Sequence, residues 1–101
     1  MAAPTKLAEL EVENALRTLP GWVLQDGKLH RDLRFKDFSA AFAFMTRVAL
    51  EAEKRDHHPE WSNVWNRVSI DLVTHESNGI SERDIALALR ISELASSSGS
   101  V

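Results

Sequence analysis

Three of the four histidines in this chain fall in two short polar pieces, Asp56-His57-His58-Pro59-Glu60-Trp61 and Thr74-His75-Glu76. An unperturbed imidazole titrates at about 6.5, so it both gives and takes a proton near neutrality. Histidines set beside carboxylates therefore form a candidate acid–base site. Glu53 lies one helical turn before His57, where a carboxylate could hold that imidazole in one tautomer. His75 supplies a second titratable group, and Trp61 and Trp65 offer flat apolar walls for a planar ligand. The same side chains also suit a structural role, and their chemistry alone leaves both readings open. A zinc site built from His57, His58 and His75 is a third reading, but adjacent histidines seldom aim at one metal and we expect none. No Ser or Cys nucleophile motif, phosphate-cradling glycine loop or dinucleotide fingerprint is present. The expected chemistry is proton transfer, with no covalent intermediate and no cofactor.

The elements that must position these residues follow from the periodicity. Thr5 is expected to cap a first helix carrying Leu7, Leu10, Ala15, Leu16 and Leu19, which Pro20-Gly21 ends. Trp22–Gln25 and Lys28–Phe35 read as a hairpin closed by Asp26-Gly27, with Leu29, Leu33 and Phe35 inward and His30, Asp32 and Arg34 outward. Arg31 breaks that alternation, as an edge position or an interface would allow. Asp37 caps a long helix to about Asp56, with Phe38, Ala41, Phe42, Met45, Val48, Ala49 and Ala52 as its core stripe. Pro59 disfavours helix at His58, so this helix stops at or before the histidine pair. A second hairpin runs Ser62–Trp65, turn Asn66-Arg67, then Val68–Thr74, placing His75 at a strand end. Asn78-Gly79 is a turn, and Ser81 with Asp84 opens a last helix with a broad apolar face from Ile85 to Leu94. The order α-β-β-α-β-β-α implies an α+β fold, a four-stranded antiparallel sheet with helices packed on one face.

Bulk properties narrow the classes. At 101 residues the chain makes one domain, expected over residues 1–95 with a flexible tail at 96–101. A net charge of -3 gives no electrostatic ground for a direct nucleic-acid partner. There is no apolar run long enough to span a membrane and no signal-peptide pattern, and the absence of cysteine fits a reducing compartment, so a cytoplasmic protein is expected.

Glu53-x-x-x-His57-His58-Pro59, followed by Trp61, Trp65, His75 and Asp84, resembles the signature of the pterin-4a-carbinolamine dehydratases. The likeness extends from about Phe35 to Ile91 and includes Phe44–Lys54, Asp56–Trp61, Thr74–Glu76 and Ser81–Ile85. It implies dehydration of 4a-hydroxytetrahydropterin to quinonoid dihydropterin in tetrahydrobiopterin recycling, downstream of an aromatic amino acid hydroxylase. By the same resemblance His57, His58 and His75 are the catalytic and pterin-binding histidines. Asp56, Pro59, Trp61, Thr74 and Glu76 then line the site, and Glu53 and Asp84 support it. The family likeness also implies a homodimer or homotetramer. Animal members serve besides as dimerisation cofactors of a homeodomain transcription factor, which makes a protein-binding module the alternative function. Trp65 stands where those members have tyrosine and Ser77 where they have cysteine.

Overall fold

The computed structural model describes residues 3–101. The elements are α1 (Glu9–Leu16), β1 (Val23–Gln25), β2 (Lys28–Arg34), α2 (Phe38–Arg55), β3 (Glu60–Val64), β4 (Arg67–Leu72), a 3-10 turn at His75–Ser77, and α3 (Glu82–Ser97). The four strands form one antiparallel sheet in the order β1-β2-β4-β3, the expected α+β architecture.

The first hairpin forms as its turn chemistry dictates. Asp26 and Gly27 both take left-handed backbone (φ 53° and 77°), the pair of conformations that matches strand twist in a two-residue turn. On β2, Leu29 and Leu33 are buried, and Arg31 points to the same side. This strand is central rather than an edge, and Arg31 is accommodated by donating from Nη1 to the Ser92 hydroxyl of α3 at 2.9 Å.

Two helices differ from expectation. Helix α1 begins after Ala8 and not after Thr5, because the Leu7 amide is already committed to the Ile80 carbonyl (2.8 Å), which holds this stretch extended. Glu11 then reaches back to the Ala8 amide at 2.9 Å and closes the helix start. Helix α2 is capped by Asp37 as expected, with the carboxylate accepting from the Ala40 amide at 2.8 Å. Its core stripe, however, is Ala41, Phe44, Val48 and Ala52. Phe38, Phe42 and Ala49, expected inside, lie roughly a quarter turn around the helix and face outward. Phe44 is fully buried and its ring centroid lies 4.9 Å from that of Phe35, so its loss to Ala would cost about 3–5 kcal/mol.

The second hairpin turns at Trp65-Asn66, one residue earlier than expected. Asn66 is buried and exchanges bonds with Phe35: its side-chain amide donates to the Phe35 carbonyl, and its own carbonyl accepts from the Phe35 amide, both at 2.8 Å. Asn63 closes the turn by donating to the carbonyls of Trp65 and Arg67. Helix α3 buries Leu87, Ala88, Ile91, Leu94 and Ala95 against the sheet and α2. It continues to Ser97, two residues into the segment expected to be a flexible tail, and the Val101 amide donates to the Arg34 carbonyl at 2.8 Å. Glu51 joins the two long helices by accepting from Arg90 at 3.1 Å, and that guanidinium holds the Glu51 carboxyl below its usual range.

Candidate active site

Two left-handed residues steer the histidines. At the end of α2, Asp56 takes φ 51°, the conformation usually reserved for glycine after a helix. The Asp56 amide then donates to Glu53 and the His57 amide to Ala52, which satisfies the last carbonyls and turns the chain off the helical path. After β4, Thr74 bridges to Gly79, and Asn78 (φ 55°) closes the short turn that carries His75. His75 thus sits on a 3-10 turn rather than on a strand end.

The first consequence is a buried network. His57 is only 9% exposed, and its Nε2 lies 2.6 Å from Oδ1 of the fully buried Asp84. The second oxygen of Asp84 accepts from the Thr74 hydroxyl at 2.7 Å and from the Ser81 amide at 2.9 Å. The Thr74 and Ser81 hydroxyls are themselves 2.6 Å apart. A lone buried carboxylate would cost several kcal/mol. Here both oxygens are bonded, and the positive end of α3 lies at the same place.

The second consequence corrects the expected partner of Glu53. Its carboxylate does not reach His57; it lies 2.6 Å from Nε2 of His58. The one-turn alignment of Glu53 with His57 holds only on a continuous helix, and the left-handed turn at Asp56 breaks it. His58 and Glu53 are both largely exposed.

His75 is the most open of the three, with a side chain 72% exposed and Nε2 3.1 Å from Glu60 Oε2. The other Glu60 oxygen accepts from Lys28 at 2.6 Å. The Lys28 ammonium, and after it His75, hold the Glu60 carboxyl below its ordinary value, and Glu60 raises Lys28 in turn. Glu60 and Lys28 were not among the sequence candidates. Glu60 lies opposite Asp71, and Asp71 opposite His30, so all three share the open sheet face with Lys28. Strand parity finds that group only once the register is known.

The remaining candidates divide. Trp61 is half-buried, opposite Ile70 and packed on the core, and it borders an open-face cleft of about 370 Å³ with Lys28, Glu60, Ser62, Ser69 and Asp71. Pro59 is half-buried and Asp56 is exposed, both beside the histidine pair. Glu76 is exposed, 3.8 Å from Arg83. Thr74 is buried and spends its hydroxyl on Asp84. Trp65, expected as a second wall, is exposed at the opposite end of β3, about 16 Å along the strand from the histidines. Among the described residues no three His, Asp or Glu side chains converge as a metal-ligand set. No helix among them is long and apolar enough to cross a membrane.

Known proteins similar to this chain identify its family. Residues 5–94 match the family model described as pterin 4 alpha carbinolamine dehydratase. A protein of Rhizorhabdus wittichii bearing the name pterin-4-alpha-carbinolamine dehydratase is 59% identical over 91 residues, covering 88% of this chain and 94% of its own. A protein of Solibacter usitatus bearing the same name is 52% identical over 91 residues, 90% of this chain and 96% of its own. The crystal structure of a transcriptional coactivator/pterin dehydratase from Brucella melitensis superposes with a TM-score of 0.87 at 49% identity, over 90% of this chain and 99% of that one. The chain therefore belongs to the pterin-4a-carbinolamine dehydratase family, a family of hydro-lyases.

Proposed function

We propose that this chain removes water from 4a-hydroxytetrahydropterin by histidine acid–base catalysis, giving quinonoid dihydropterin for tetrahydrobiopterin recycling. The observation that carries this reading is that each histidine of the two motifs has its own carboxylate: His57 with Asp84, His58 with Glu53, His75 with Glu60. Such partners orient an imidazole and stabilise its protonated form during transfer. In the assignment we favour, His75 as imidazolium protonates the departing 4a-hydroxyl. The C4a–O bond breaks, and the hydroxyl leaves as water. His57 accepts the proton from the ring nitrogen N5, whose N–H electron pair closes the C4a–N5 double bond. One proton is given and one taken, with no change of oxidation state. His58, Asp56, Pro59, Trp61 and Glu76 border the bound pterin. The substrate comes from a reaction that hydroxylates the pterin at C4a, as an aromatic amino acid hydroxylase does. The test is a coupled assay following breakdown of freshly generated 4a-carbinolamine. Purified protein is expected to accelerate it, and breakdown at the uncatalysed rate would refute the proposal.

We also infer a homodimer or homotetramer, supported by the exposed Phe38, Phe42 and Leu50 of α2. A single monomeric species by sedimentation at micromolar concentration would refute it. The same apolar face supports the second reading, a protein-binding module, in line with the Brucella melitensis protein's description as a coactivator. Partner binding that survives in a dehydration-inactive His75→Ala protein would separate the two functions.

A further inference from the structure

We propose that Thr74 and Ser81 are positioning residues that set which nitrogen of His57 carries its hydrogen. The hydrogen placement follows from geometry alone, and its catalytic consequence rests on the dehydratase reading above. Each hydroxyl has one hydrogen to donate. Thr74 spends its hydrogen on Oδ2 of Asp84, at 2.7 Å. In the 2.6 Å contact between the hydroxyls, Thr74 is therefore the acceptor and Ser81 the donor. Ser81 in turn accepts from the Arg83 amide at 3.3 Å, while its own amide donates to Asp84 Oδ2 at 2.9 Å.

The hydrogens thus run one way, from the Arg83 amide to Ser81, from Ser81 to Thr74, and from Thr74 to Asp84. A backbone amide cannot reverse its direction, so the chain is anchored at its source. Its end point is Oδ2 of Asp84, which accepts from both the Thr74 hydroxyl and the Ser81 amide, and Oδ1 is the oxygen left to accept from His57. This places the His57 hydrogen on Nε2, 2.6 Å away. Nδ1 makes no hydrogen bond among the described residues, and no buried side-chain nitrogen or oxygen lacks a partner there, so Nδ1 reaches accessible space. Nδ1 is accordingly the nitrogen that takes the substrate proton. Thr74 acts through Asp84 and His57 and does not touch the pterin. Ser81 has the same role besides capping α3.

Nitrogen-15 NMR of histidine-labelled protein tests this without any substrate. Neutral His57 is expected as a single tautomer, protonated at Nε2 and bare at Nδ1. A bare Nε2, or an even mixture of tautomers, in the unaltered protein would overturn the proposal. Thr74→Val, which keeps the shape and removes the hydroxyl, is expected to mix the tautomers and lower the dehydration rate about tenfold, a fraction of a full acid–base contribution. Thr74→Ser is expected to restore both. Thr74→Val with an unmixed tautomer and an unchanged rate would also overturn it. Should the expected tautomer be found in a protein with no dehydratase activity, the hydrogen-bond chain stands, and the dehydratase reading and the catalytic use of Nδ1 fall.

Discussion

His57 meets Asp84 at 2.6 Å between α2 and α3, and His30 meets Asp71 at 2.8 Å across the open face of the sheet. The residue types and the bond lengths are nearly alike. The surroundings differ in two respects. Asp84 is fully buried and bonded on both oxygens, whereas Asp71 is partly exposed on a strand. Among the described residues His57 keeps one ring nitrogen free, whereas both nitrogens of His30 face carboxylates, with Asp32 at 3.2 Å beside Nε2. The bond to Asp71, against an opposing cost of burial and with added help from Asp32, raises the His30 pKa above its ordinary value. A histidine held on both sides by carboxylates is a clamp between strands. A histidine held on one side, with the other nitrogen accessible, is equipped for proton transfer.

Removing the two aspartates tests the contrast most strongly. Asp84→Ala strands a buried imidazole, a buried hydroxyl and the Ser81 amide, and is expected to cost about 3 kcal/mol in urea unfolding. Asp71→Ala breaks a partly exposed pair and is expected to cost under about 1 kcal/mol. Equal losses would show that burial does not distinguish the two. At the exposed end of the site, His75→Ala is expected to lower the dehydration rate about a hundredfold or more. Its melting curve should stay within about 0.5 kcal/mol of the parent's, because an exposed side chain carries little of the fold. A folded His75→Ala protein with parental rate would remove His75 from the mechanism.

Asp56→Gly addresses the turn that carries His57 inward. Glycine is at ease at φ 51°, so a gain of about 0.5 kcal/mol is expected, read as a higher denaturation midpoint. A loss would mean that the Asp56 side chain, not its backbone, matters there. The smallest effect belongs to His30→Gln. Because the His30 pKa is raised on folding, its clamp contributes fully below the unfolded value of about 6.5 and fades as pH rises through the folded one. The variant should lose about 0.5 kcal/mol in mildly acidic buffer and little in alkaline buffer, by urea titration at the two pH values. An equal loss at both would refute the clamp.

The local chemistry of several elements was legible from the residues alone. Asp26-Gly27, the Asp37 cap and the Ser81–Asp84 capping box occur as read, because each is decided by neighbours in sequence. Helix α2 shows where such reading stops. Its apolar residues cover a wide arc, and periodicity alone does not say which half faces the sheet. Phe44 went inside and Phe42 outside because Phe35 stands opposite Phe44. Likewise Asn66, read as the first residue of the turn, is its second, placed there by its exchange of bonds with Phe35, a residue far away along the chain.

The candidate site divides along the same line. Residue type and local order were enough to gather histidines and carboxylates around the end of α2 and the turn after β4. The partner of each histidine depends on how the elements pack together. The left-handed turn at Asp56 handed Glu53 to His58, the packing of α3 against α2 brought Asp84 to His57, and sheet register set Glu60 and Lys28 beside His75. Hydrogen bonds act over about 3 Å, while these partners lie up to dozens of positions apart, so only the folded chain can choose among them.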